Sequence, residues 1–148
     1  MAIVGIDAVT YGITNLKKSA MFYTDFGLRK KSSKTGRIVF EALDGSQIIL
    51  MKSSDKSLPQ AFQSGNGVRE VTWGVSNKTE LARIKRELAK DRPVTEENDG
   101  TIRTVDPAGG FFPKQLVCKD FLQRFQERIC VPQTPDPLSG PLLAVAGT

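Results

Sequence analysis

The feature that most constrains this chain is an internal repeat. Residues 6–15 read Ile-Asp-Ala-Val-Thr-Tyr-Gly-Ile-Thr-Asn, and residues 68–77 read Val-Arg-Glu-Val-Thr-Trp-Gly-Val-Ser-Asn. At an offset of 62, Val9/Val71, Thr10/Thr72, Gly12/Gly74 and Asn15/Asn77 are identical. Ile6/Val68, Tyr11/Trp73, Ile13/Val75 and Thr14/Ser76 are similar, and Asp44/Asp106 fall on the same offset at a later turn. A duplicated block implies a fold built from two alike units.

Both blocks alternate β-branched or aromatic residues with small or polar ones, a strand pattern. Asn15 and Asn77 stand where a helix N-cap is expected. After Asn15, residues Leu16, Ala20, Tyr23 and Phe26 or Phe22 fall on one helical face, and Gly27 suits a C-cap. After Asn77, Leu81, Ile84 and Leu88 recur at helical spacing within 78–90, ahead of Pro93. Three short strand candidates follow each helix: 28–33, 37–43 and 47–52, then 93–96, 101–105 and 111–118. Turn residues such as Asp44-Gly45 and Asp99-Gly100 separate them. The reading is α+β, with two tandem βαβββ modules (3–52 and 67–118, linker 53–66) forming one domain over 1–118. A tail follows over 119–148. Alternation puts Val9, Tyr11, Ile13, Val71, Trp73 and Val75 against the helices. Ala8, Thr10, Gly12, Glu70, Thr72 and Gly74 share the opposite face, where a curved mixed sheet forms a cup.

With 148 residues, 39% of them apolar, the chain can bury one core of its own. No apolar run approaches the roughly 18 residues that span a bilayer. The opening segment lacks a basic start, and Asp7 interrupts its apolar stretch, so the expected location is the cytoplasm. Cys118 and Cys130 match no disulfide framework or zinc spacing. The net charge of +5 admits an anionic partner. The basic run Arg29 to Lys34 carries no interleaved aromatics, however, and reads as a solvated face or an anion patch rather than a nucleic-acid site. The chain has no histidine. That removes the commonest general base and the commonest transition-metal ligand together, and with them Ser–His and Cys–His catalysis.

The block Ser19-Ala-Met-Phe-Tyr-Thr-Asp-Phe-Gly-Leu28 is the most specific stretch. With the two repeated strands and Asp106-Pro-Ala-Gly-Gly110, it resembles the vicinal-oxygen-chelate superfamily, which includes glyoxalase I, bleomycin-resistance proteins and extradiol dioxygenases. The resemblance covers residues 3 to about 118. It implies metal ligands in the middle of each module's first strand and near its last strand. By position these fall on Ala8 and Glu70, and on Ile49 and Gln115, with Pro113 as the alternative to Gln115. Alanine and isoleucine bind no metal, and the remaining carboxylate and amide fall short of the usual three protein ligands. The expectation is therefore no metal and no cofactor, and no metal-dependent glyoxalase or dioxygenase activity.

Within the cup, Glu70 is the candidate catalytic residue, acting as a general base. Alternatively it hydrogen-bonds Gln115 or a ligand, or pairs with Arg103. Thr10, Thr72, Gln47 and Gln115 suit a hydrogen-bonding wall, and Ile49, Met51, Phe111 and Phe112 an apolar one. Arg37 and Arg103, on corresponding strands, suit an anionic ligand group or the surface. In the tail, Phe121, Leu122, Phe125 and Ile129 recur at helical spacing. A Pro-rich extended stretch and an apolar end, Leu142 to Ala146, follow and would wrap the domain or a partner subunit. The leading expectation is a metal-independent protein that binds a small organic ligand, as a homodimer whose cups the partner completes, away from nucleic acid and membrane. The alternatives are a metal-free isomerase, lyase or cyclase using Glu70, and a non-catalytic dioxygenase-like module or subunit.

Overall fold

The computed structural model describes residues 2–61, 65–105 and 115–120. Ten elements follow one another: β1 (Ile3–Ile13), α1 (Leu16–Asp25), β2 (Arg29–Lys34), β3 (Arg37–Glu41), β4 (Gln47–Lys52), β5 (Gly67–Val75), α2 (Lys78–Leu88), β6 (Val94–Glu96), β7 (Ile102–Val105) and β8 (Gln115–Asp120). This is βαβββ twice. The strands form a single eight-stranded mixed sheet in the order β2-β3-β4-β1-β5-β8-β7-β6. The modules meet where β1 runs antiparallel to β5, and each first strand runs parallel to its own module's last, β1 with β4 and β5 with β8. β8 runs two residues past the expected boundary at 118. Residues 111–114 and the tail from 121 lie outside the described residues, and with them the helical and extended readings of the tail.

Local chemistry sets the helix ends. Asn15 Oδ1 accepts from Lys18 N at 3.0 Å, and Asn77 Oδ1 accepts from Glu80 N at 2.9 Å, so each cap satisfies an otherwise orphaned amide. Gly27 (φ 99°) closes α1: its N–H donates to Thr24 O, and Leu28 N–H donates to Tyr23 O. This pair of bonds is a Schellman motif, and the left-handed residue at its centre favours glycine.

Both helices cover the same face of the sheet. Under α1, Ile13, Ala20, Phe40 and Leu50 form a buried cluster with Tyr11, Leu16 and Tyr23 against it. Under α2, Ala2, Val75, Leu81 and Ile102 form a second, flanked by Trp73, Ile84 and Leu88. The bulky set of the two repeated strands is thus core. Phe22 and Phe26 depart from the sequence expectation: they stack on each other at 5.8 Å and remain 58% and 72% exposed. At about 100° per residue they lie well off the stripe through Leu16, Ala20 and Tyr23.

The central strand pair is not regular. Ile6 pairs with Trp73 and Ala8 with Thr72, leaving Asp7 as an extra residue on β1. Thr10 pairs with Glu70 and Tyr11 with Val68, leaving Arg69 as an extra residue on β5. These two bulges are one repeat offset apart, so that irregularity is itself duplicated; a third shift, between Ile3 and Gly5, is particular to the start of β1. Bulges bend strands and increase twist, which suits the concavity of the uncovered face.

Candidate functional site

The face opposite the helices carries ladder rows that cross both modules. One row runs Ile49, Thr10, Glu70, Gln115 from β4 to β8; the next runs Gln47, Ala8, Thr72, Val117. These rows correct part of the expected ligand frame. Gln47, not Ile49, stands beside Ala8, whereas Gln115 stands beside Glu70. Counterpart positions in the two modules are therefore Ala8/Glu70 and Gln47/Gln115. The turn before β8 is longer than that before β4, and a constant offset does not survive it.

A cavity of about 410 Å³ lies on this face, lined by Thr10, Arg37, Ile49, Met51, Glu70 and Arg103 from the strands, with Glu97 and the segment Ser57-Leu58-Pro59. Six residues named as candidates in the sequence thus come together: Thr10, Arg37, Ile49, Met51, Glu70 and Arg103. Gln47 and Thr72 are buried one row away and do not line the cavity. The side chain of Gln115, and Phe111 and Phe112 entirely, lie outside the described structure. Two further concavities, of about 540 and 520 Å³, lie beside α1 and beside the turn after β3, away from these rows.

Ser57, Leu58 and Pro59 belong to the expected linker, 53–66. They reach the cup because the chain turns twice after β4. Asp55 N–H donates to Lys52 O at 2.9 Å, and Asp55 Oδ1 accepts from both Ser57 N (2.9 Å) and Ser57 Oγ (2.7 Å). An Asp two residues before a Ser is the signal for that turn. Glu97 arrives through the β6–β7 turn, where Glu97 N–H donates to Thr101 O at 2.8 Å and Gly100 has φ 81°.

Electrostatically the cup is organised by Arg103. Its Nη1 donates to Glu70 Oε2, and its Nε donates to Glu97 Oε1 at 2.5 Å. Burial alone would lower the pKa of Arg103; the bonds to Glu97 and then to Glu70 outweigh it and raise the guanidinium above its ordinary value. The side chains of Glu70 and Arg103 are 14% and 25% exposed, so their bond is shielded from bulk water. One row further on, Glu41 is buried with Arg29 and Lys31 (Nζ to Oε1, 2.7 Å) as partners. The basic run in β2 thus serves an internal carboxylate.

The bulge on β5 adds a residue that strict alternation assigns to the helix side. Arg69 is 6% exposed, and its guanidinium lies over Gly12 on the cup face. A Cβ at Gly12 would stand 2.5 Å from Arg69 Nε. Arg69 Nη2 donates to Gly65 O at 3.2 Å, while its Nε has no hydrogen-bond partner.

These residues do not fit a divalent metal. At the four counterpart positions Ala8 offers no donor atom, Gln47 and Gln115 are neutral amides, and Glu70, the one carboxylate, already holds a guanidinium. Among the described residues, no group of three His, Cys, Asp or Glu side chains is placed to hold one.

No protein-family model matches the sequence, and no curated protein matches it. Solved structures match the fold. An extradiol ring-cleaving dioxygenase from B. fuscum superposes with a TM-score of 0.64 at 15% identity, covering 80% of this chain and 33% of that one. The Mn(II)-bound glyoxalase from Novosphingobium aromaticivorans gives 0.59 at 17% identity, covering 79% and 39%. Methylmalonyl-CoA epimerase from Mycobacterium tuberculosis gives 0.53 at 16% identity, covering 84% and 93%. The chain therefore shares the fold of these three structures, the fold that the resemblance in its sequence implies. It spans about a third of the dioxygenase's length and nearly all of the epimerase's.

Proposed function

We propose that this protein binds a small organic molecule in its cup without a metal ion. The observation that carries the reading is the cavity wall itself. Of the positions that would supply metal donors, Ala8 has no donor atom, Gln47 and Gln115 are neutral amides, and Glu70 is tied to Arg103. What remains is a mixed wall: Ile49, Met51, Leu58 and Pro59 give it apolar surface, and Thr10, Ser57, Arg37, Glu70, Glu97 and Arg103 converge on it with hydrogen-bonding and charged groups that can orient a small ligand. Calorimetric titration with a broad panel of aromatic and aliphatic compounds, on protein whose metal content has been measured, is the test. Substoichiometric metal and at least one saturable ligand are expected. Stoichiometric bound zinc, iron or manganese, or a panel without a single binder, would sink the reading.

Catalysis by Glu70 is a second reading, supported by its place in the cavity wall. There Arg103 orients the carboxylate, and a substrate proton within hydrogen-bond reach would move to it. Glu70→Gln should then abolish turnover and spare binding; unchanged turnover excludes the role. We further propose a homodimer, to be checked by light scattering. One chain already supplies cup residues from both modules. No helix of the described residues is long and apolar enough to cross a membrane.

A further inference from the structure

The charges of the cup are unevenly distributed. On one side, Arg103 joins Glu70 and Glu97, so three of the charged groups lining the cavity satisfy one another. On the other side, Arg37, Met51 and Gly12 stand in one ladder row across β3, β4 and β1. Arg37 lines the cavity and makes no ion pair among the described residues. Over Gly12, at the far end of that row, lies the buried guanidinium of Arg69 with its orphan Nε. The backbones of Arg37 and Gly12 are thus about 10 Å apart across two strand spacings. Asp7, the repeat counterpart of Arg69, sits about 15 Å further along the strand pair. This end of the cup carries positive charge from an exposed cation without an ion partner among the described residues, Arg37, and from a buried one with an unmade hydrogen bond, Arg69, so an incoming anion is favoured there.

We infer that the ligand is a small carboxylic acid. Its carboxylate meets Arg37, with Arg69 adding positive charge from behind, and its apolar body lies along Ile49, Met51 and Leu58. This rests on the cup being a small-molecule site and adds the chemical class of the ligand. A monoanion is favoured over a phosphate dianion, because Glu70 and Glu97 line the same cavity and repel a second negative charge. Arginine suits the role, since its planar fork matches a carboxylate with two parallel donors.

Matched pairs decide the matter: aryl and alkyl carboxylic acids and the primary amides of the same skeletons, titrated by calorimetry into the full-length protein. Acids should bind at least about tenfold more tightly than their amides, as expected for a charge-assisted bond. Arg37→Gln, at an exposed side chain, should remove most of that preference by weakening acids far more than amides. Gly12→Ala, which pushes the Arg69 guanidinium aside, should weaken acids several-fold and amides little, with circular dichroism confirming the fold. Amides binding as well as acids would overturn the inference while leaving the cup a binding site. An acid preference untouched by Arg37→Gln would overturn it as well. Binding of neither series would remove the site reading beneath it.

Discussion

Glu41 makes the fold sensitive to acid. Burial pushes its pKa up, but hydrogen bonds from Lys31 and Arg29, the Lys31 charge and Gln47 outweigh it and hold the carboxyl at about 2, against an ordinary 4.5. A depressed folded pKa contributes stability that is complete above about 4.5 and lost as the pH falls toward 2. The full shift corresponds to at most about 3 kcal/mol, reduced because Arg29 and Lys31 are themselves exposed to solvent and salt. Urea unfolding at pH 7 and pH 3 should therefore show Glu41→Gln less stable than wild type at pH 7, with the gap narrowing at pH 3. At the cup, Arg103→Ala leaves Glu70 and Glu97 together without their shared cation. It should cost about 1–3 kcal/mol by the same assay, whereas Glu70→Gln, which keeps a hydrogen-bond acceptor, should cost less. Alternation alone made Thr10, Ile49, Met51 and Glu70 legible as neighbours, and the pairing of Glu70 with Arg103 was one of the alternatives it left open. Arg69 was not legible, because one inserted residue reverses the face and nothing in the local residue pattern marks a bulge. Glu41 was missed because an acid followed by a turn does not say which cations on the preceding strand will reach it.

At the level of elements, the caps have the clearest sequence signatures and give the clearest predictions. Asn77→Ala removes the acceptor for Glu80 N and should cost about 1 kcal/mol by thermal or urea unfolding, and Asn15→Ala should cost a similar amount. Gly27→Ala puts a side chain at φ 99° and should cost about 1–2 kcal/mol even though no atom lies near the new Cβ. Both helices begin where the asparagines place them, and all three strands that follow each helix overlap their expected spans. The outward turn of Phe22 and Phe26 was less legible. Six apolar residues in the eleven from Leu16 to Phe26 fit more than one stripe, and only packing against Phe40 and Leu50 selects the stripe that is buried.

The whole molecule follows from a duplication whose halves have since diverged. Leu50, fully buried where α1 meets the sheet, belongs to the shared architecture; Leu50→Ala should cost about 2–5 kcal/mol in urea unfolding. The cup shows the divergence. The repeat located the row of Thr10 and Glu70, but the exact partner rows depended on turn lengths, and the cover over the cup came from a segment without periodicity. Ala8 answers to Glu70 and Asp7 to Arg69, so the pseudo-two-fold of the backbone is not shared by the side chains. In the proposed site a bound molecule would meet three unlike surroundings: a guanidinium at Arg37, a carboxylate at Glu70 and an apolar cover at Leu58 and Pro59. Three distinct points of contact define a handedness. Only one mirror form of a chiral ligand can satisfy all three, so a racemic acid passed over the immobilised protein should emerge enriched in one enantiomer.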